Sequence, residues 1–148
     1  MPWDWRKFVA MARWIWPSKS AGKEGPFDWR EFLELARVWK DRSGAAYSAE
    51  AANRASVSRA YYAAFCHTRN YAENKLGFRR TRTSKEHSLL RDYLMKLKNP
   101  PWPEVAEKLD ELRKWRNQCY YDDEVSDVKR IVSDAITTAE EIVQQCRP

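Results

Sequence analysis

The sequence predicts an all-α protein, an antiparallel bundle of four to five helices preceded by an extra Trp-rich N-terminal helix. Three observations carry that prediction. From Phe27 onward the apolar residues recur in threes and fours, no segment alternates with a period of two, and the breaks are short and built from Gly, Pro and Ser. Long helices joined by short turns pack most economically as antiparallel neighbours around one core. At 148 residues the chain can bury such a core as one domain without disulfide support.

The N-terminal part is set apart. PWDWRKFVAMAR, Pro2 to Arg13, returns at an offset of 24 residues as PFDWREFLELAR, Pro26 to Arg37, with Pro, Asp, Trp, Arg, Phe, Ala and Arg all recurring in place. Each copy predicts a short helix with Pro at its start and Asp4 or Asp28 able to cap it. Two readings of the echo stand side by side: docking of the first copy on the kind of groove the second occupies, or a partial duplication that flanks the domain. One repetition is too short for a solenoid. PSKSAGKEGP, Pro17 to Pro26, reads as a linker, which divides the chain into residues 1–25 and a bundle at 26–148.

Within the bundle, Phe32, Leu33, Ala36 and Trp39 share one face of a helix that gives way at Arg42-Ser43-Gly44. A longer helix opens near Ser48, a residue suited to capping, runs to about Lys75 and ends at Gly77. Its centre, NRASVSRAYYAAFCHTRNYA, sets small residues among Tyr61, Tyr62 and Phe65, so neighbours can approach closely while rings fill the remaining space. A third helix starts at Lys85 behind a Ser84 cap and aligns His87, Leu90, Leu94 and Leu97. NPPWP, Asn99 to Pro103, breaks it, and a fourth spans Glu104 to Asp123. The last, from about Asp123, carries Val125, Val128, Val132, Ala135, Ala139 and Ile142 as a bundle seam.

Composition narrows the functions. The formal charge is +6, which suits an acidic partner such as RNA. Eight Trp, seven Tyr and five Phe supply a helical core, an oligomer interface, or both. Cys66, Cys119 and Cys146 are odd in number and widely spaced, which argues against a disulfide framework and for a reducing, cytoplasmic setting. Asp4, Arg6, Lys7 and Arg13 interrupt the Trp-rich start, so it reads as neither a signal peptide nor a membrane span. Cys66, His67, His87 and Cys119 are ligand types zinc prefers, but their spacing is no zinc signature, and no metal or cofactor is expected. The four glycines are unclustered, which excludes a phosphate-binding Gly-rich loop.

The fourth helix departs from an ordinary amphipathic pattern. Val105, Leu109, Leu112 and Cys119 step along one face, and the residue filling the gap is Arg116. A guanidinium that cannot deprotonate is thereby aimed into an apolar row, where it must be met by an internal carboxylate or by an anionic ligand. Both answers are open from spacing alone. Arg79, Arg80, Arg82 and Lys85, interleaved with threonines, suit a phosphate backbone and equally suit a solvated loop. His87, heading an apolar stripe, reads as a satisfied core residue or as a ligand.

Arg116-Asn117-Gln118-Cys119-Tyr120-Tyr121, together with Ser58-Arg59-Ala60-Tyr61-Tyr62-Ala63-Ala64-Phe65 and His87 at the head of the third helix, resembles the small all-helical HEPN domains of prokaryotic toxin-antitoxin and defence systems, over about Phe27 to Cys146. Their signature is an Arg, commonly followed by Asn or another polar residue, and a His four to six positions on; here Tyr121 stands where that His would fall. The resemblance implies a homodimer whose two motifs face each other across a cleft for RNA, with Arg59, Tyr62 and His87 as supporting residues. It further implies metal-independent cleavage by the 2′-hydroxyl, in which Arg116 holds the phosphate, Asn117 orients the loop and Tyr121 takes the place of the proton-moving His. A tyrosine with a reference pKa near 10 is a poor base at neutral pH, so the departure bears on cleavage rather than on binding. In related pairs a tyrosine near this motif is nucleotidylated by a partner nucleotidyltransferase acting as antitoxin, and Tyr120 or Tyr121 would be the matching acceptor. The alternatives are a non-catalytic module that binds nucleotides or such a nucleotidyltransferase, and a purely structural helical oligomer.

Overall fold

The computed structural model describes residues 25–148. The expected Trp-rich first helix and the first copy of the repeat lie outside the described residues. Those described form five α-helices and no strand: α1 Glu31–Trp39, α2 Ala49–Tyr71, α3 Glu86–Lys96, α4 Trp102–Tyr121 and α5 Val128–Gln145. The sequence-predicted helical bundle is what forms. None of these helices is long and apolar enough to cross a membrane.

The central element is α2, which packs against α1, α4 and α5, while α3 packs on α4. Its small residues explain this position. Ala52, Ser56, Ala60, Ala63 and Ala64 are all buried, so three neighbours approach its backbone closely, and Tyr61 and Phe65 fill the gaps between them. Ser48 caps it as expected, its Oγ accepting from the Ala51 N–H at 3.1 Å. The helix continues as a π-helical turn, Ala72–Leu76, and stops at Gly77, whose φ of 79° is the left-handed conformation that glycine adopts without a Cβ penalty.

Three boundaries differ from expectation, each for a local physical reason. Ser84 makes no cap on α3. Instead the buried Glu86 carboxylate turns back to accept the N–H groups of Thr81 and Arg82 at 3.0 and 2.8 Å, which organises the preceding loop. Helix α4 begins at Trp102 rather than Glu104, because Pro103 sits in its first turn, where no intrahelical N–H partner is needed. Helix α5 begins at Val128 rather than near Asp123. Arg54 of α2 accounts for the delay: its guanidinium donates to the carbonyls of Cys119, Asp122 and Asp123 at 3.2, 2.6 and 3.1 Å, holding the chain as a non-helical connector. The rest of the expected seam, Val132, Ala135, Ala139 and Ile142, is buried together with Ile131 and Ile136. The three cysteines are free and buried.

Candidate functional site

Arg116, Asn117 and Arg113 lie within one turn of α4, so helical geometry brings them to one side of it. There they meet Tyr61 from α2, His87 from α3 and Ser84 from the loop before α3, around an open hollow of about 300 Å³. The hollow exists because α2 and α3 both pack on α4.

Arg116 is half-buried and highly ordered by its neighbours. Its Nη1 donates to Asn117 Oδ1 at 3.0 Å and its Nη2 to the Tyr62 hydroxyl at 2.9 Å. The guanidinium carbon lies 5.4, 5.3 and 5.7 Å from the ring centroids of Tyr61, Tyr62 and Tyr120. Such faces attract a cation by roughly 0.5–2 kcal/mol each, depending on how far it is desolvated. Among the described residues no carboxylate lies within salt-bridge distance of it, and Arg116 Nε is the one fully buried side-chain nitrogen or oxygen without a partner. Aromatic rings and neutral acceptors, rather than an internal acid, therefore surround this charge.

The neighbouring charges leave the region positive. Asp110 serves three cations at once, Arg91 at 3.4 Å, Arg113 at 2.9 Å and Lys114 at 3.0 Å. One carboxylate cannot neutralise three, so the Arg113 and Arg116 edge of α4 retains excess positive charge facing the hollow.

His87 stacks on Phe65, with centroids 3.9 Å apart and planes 14° from parallel, and its Nδ1 shares a hydrogen bond with the Tyr61 hydroxyl. Burial, then the guanidiniums of Arg116 and Arg91, hold the imidazole below its ordinary pKa, with Arg69 adding to them and Glu86 opposing. Burial pushes the Tyr61 phenol up to about 12, against the pull of Arg116 and Arg91. Near neutral pH both groups are uncharged.

The remaining candidates fall in different places. Tyr62 touches Arg116 directly. Arg59 lies on another side of α2, over the rings of Phe32 and Trp39 at 4.9 and 5.9 Å, and does not line the hollow. Arg79, Arg82 and Lys85 are exposed, whereas Arg80 is paired with Glu86 at 3.3 Å; the loop they share borders the hollow through Ser84. Tyr121 is 76% exposed at the end of α4 and is not among the lining residues; Tyr120, 59% exposed, is the one whose ring approaches Arg116. Arg113 and Tyr61 were missed as site residues in the sequence. Arg113 was legible as the position three before Arg116, while Tyr61 reads only as core. A larger hollow of about 570 Å³ between α1 and the start of α2 is lined mainly by apolar residues such as Trp39 and Ala52, with Arg42 as its one charge. No group of three or more His, Cys, Asp or Glu gathers to hold a metal among the described residues.

Residues 30–147 match the family model described as HEPN domain. No curated protein matches the chain, and no solved structure does.

Proposed function

The chain belongs to the HEPN domain family, and from that premise we propose that it binds RNA through the Arg116 hollow and cleaves it without a metal, in the setting of a toxin-antitoxin or related defence module. The observation that supports this most is a guanidinium fixed by Tyr62 and Asn117 with no acid among the described residues to answer it. A cation already oriented and partly desolvated loses little freedom when a phosphate arrives, and it stabilises charge developing on the phosphoryl oxygens. Arg113 adds a second guanidinium at the rim, and the exposed Arg79, Arg82 and Lys85 extend the positive surface along a strand of nucleic acid. Two copies facing each other across a two-fold axis would join their hollows into one cleft in a cytoplasmic homodimer.

The test is binding of a labelled single-stranded 20-mer RNA by fluorescence anisotropy at 50 and 200 mM salt. Arg116→Ala is expected to weaken binding about tenfold or more and to flatten the salt slope by roughly 0.7, the share of one phosphate contact on a single strand. Unchanged affinity in a folded Arg116→Ala protein would sink the reading, and sedimentation at two concentrations checks the dimer.

A second reading is favoured by the exposure of Tyr120 and Tyr121, whose phenols stand open at the end of α4. As acceptors for a partner nucleotidyltransferase they would gain a nucleotide beside Arg116 and block the hollow. Intact-mass measurement after co-expression with such an enzyme, repeated on Tyr121→Phe and Tyr120→Phe, tests it; no added mass on the unsubstituted protein rejects it.

A further inference from the structure

We infer that His87, from α3, is the residue that takes the proton from the attacking 2′-hydroxyl, with Tyr61 as the residue that positions it. The inference rests on the reading that RNA phosphate occupies the Arg116 hollow, and it assigns to a different helix the part for which α4 carries only Tyr121.

Four observations lead to His87. It lines the same hollow as Arg116 and Asn117, so a phosphate held by the guanidinium lies within the space the imidazole also faces. Its ring is fixed, stacked on Phe65 at 3.9 Å and tied through Nδ1 to the Tyr61 hydroxyl. With Nδ1 engaged, Nε2 is the nitrogen left over; it has no hydrogen-bond partner among the described residues, and it is not sealed away, since Arg116 Nε alone is fully buried and unpartnered there. Tyr121 lies outside the lining and is 76% exposed, so it is poorly placed to meet a phosphate that Arg116 holds.

The chemistry balances without oxidant, metal or cofactor. His87 Nε2 accepts the proton as the 2′-O–H bond breaks, the 2′-oxygen forms a bond to phosphorus, and the bond from phosphorus to the 5′-oxygen breaks. The departing 5′-oxygen takes a proton from water, and the imidazolium returns its own to solvent. The ends formed are a 2′,3′-cyclic phosphate and a 5′-hydroxyl. Arg116 meets the negative charge on the phosphoryl oxygens throughout. Burial of the ring, joined by Arg116 from α4, Arg91 from α3 and Arg69 from α2 against Glu86 of α3, holds the imidazole below its ordinary pKa, toward the unprotonated form a base requires.

The experiment measures cleavage of bulk tRNA and of the labelled 20-mer in EDTA by the full chain, by His87→Gln and by Tyr61→Phe, with affinity measured on the all-2′-deoxy 20-mer, which cannot react. His87→Gln is expected to cut about 10²-fold or more slowly while affinity changes by less than threefold. Tyr61→Phe is expected to lower kcat with KM unchanged. In the same samples NMR reads both imidazoles, since the chain has two histidines, His67 and His87. A uridine–vanadate complex, which mimics the pentacoordinate phosphorus, should move the His87 signals and leave those of His67. The inference is overturned if the unsubstituted protein binds RNA without cutting it, if folded His87→Gln cuts at the normal rate, or if the vanadate complex leaves His87 unmoved. Unchanged RNA affinity in folded Arg116→Ala instead overturns the reading beneath it, so the two failures are distinguishable.

Discussion

Tyr62 and Arg116 join two helices by a hydrogen bond of 2.9 Å, the phenol of α2 accepting from the guanidinium of α4. The same ring lies 5.3 Å from the guanidinium carbon, so one residue serves as acceptor and as cation-attracting face. This is how a charge in an apolar row is tolerated with no acid beside it among the described residues.

Tyr62→Phe separates those two roles. The ring stays and the acceptor goes, and a hydrogen bond to a charged group contributes roughly 1.5–3 kcal/mol. The expected outcome is a stability loss near the lower end of that range, read by urea unfolding, and a weaker grip on the phosphate of a mononucleotide. No change in either would mean that the cation–ring contact alone fixes Arg116.

Arg54 closes the far end of α4. It donates to three backbone carbonyls there and is held by Glu50 at 2.9 Å. Arg54→Ala should cost about 2–3 kcal/mol, in keeping with charged hydrogen bonds lost from a partly buried site, and raise amide exchange across residues 119–127. Arg54→Lys should not restore it, because a point charge cannot reach all three oxygens as a planar fork does.

Glu86 is 4% exposed and faces Arg69, itself 8% exposed, and Arg80. Burial raises its pKa, but the N–H of Arg82, the guanidiniums of Arg80 and Arg69 and the N–H of Thr81 outweigh burial, leaving it below the ordinary 4.5. A carboxyl depressed by folding contributes stability that is full above the unfolded value and is lost as pH falls through the folded one. The bundle should therefore weaken below about pH 4.5, and this acid limb should shrink in Glu86→Gln, with Asp28 and Asp110, which folding also holds below the ordinary carboxylate range, carrying the remainder. That variant should also lose about 3 kcal/mol at pH 7, because it strands a buried guanidinium.

His87 adds a second pH dependence of the same direction at higher pH. Its folded pKa lies below 6.5, so protons bind the unfolded chain more readily. Stability should be highest above about pH 6.5, decline as the pH drops below it, and level off under the folded value. His87→Gln should flatten the stretch between pH 7 and 5, as read by thermal unfolding at half-unit steps.

Much of the architecture could be read from local pattern. The spacing of Val132, Ala135, Ala139 and Ile142 marked a buried face, and Ser48 and Gly77 marked the ends of α2, because caps and faces depend on residues within a turn or two of one another. The start of α5 was not legible that way. What delays it is Arg54, 69 residues away from Asp123, whose carbonyl it holds. Ser84 failed as a cap for a related reason: the buried Glu86, held by Arg69 from α2, organises that turn instead.

The chain alone determined that Arg116 would stand in an apolar row, since a helical period follows from backbone geometry and the order of residues. Only the packing decided what meets it. The Tyr62 hydroxyl lies 54 positions away and the bond between Tyr61 and His87 spans 26, separations that no periodicity encodes. Those meetings arise because the small residues of α2 let α4 close in while α3 packs on α4, and the energy of that close packing comes from the whole buried core rather than from any one motif.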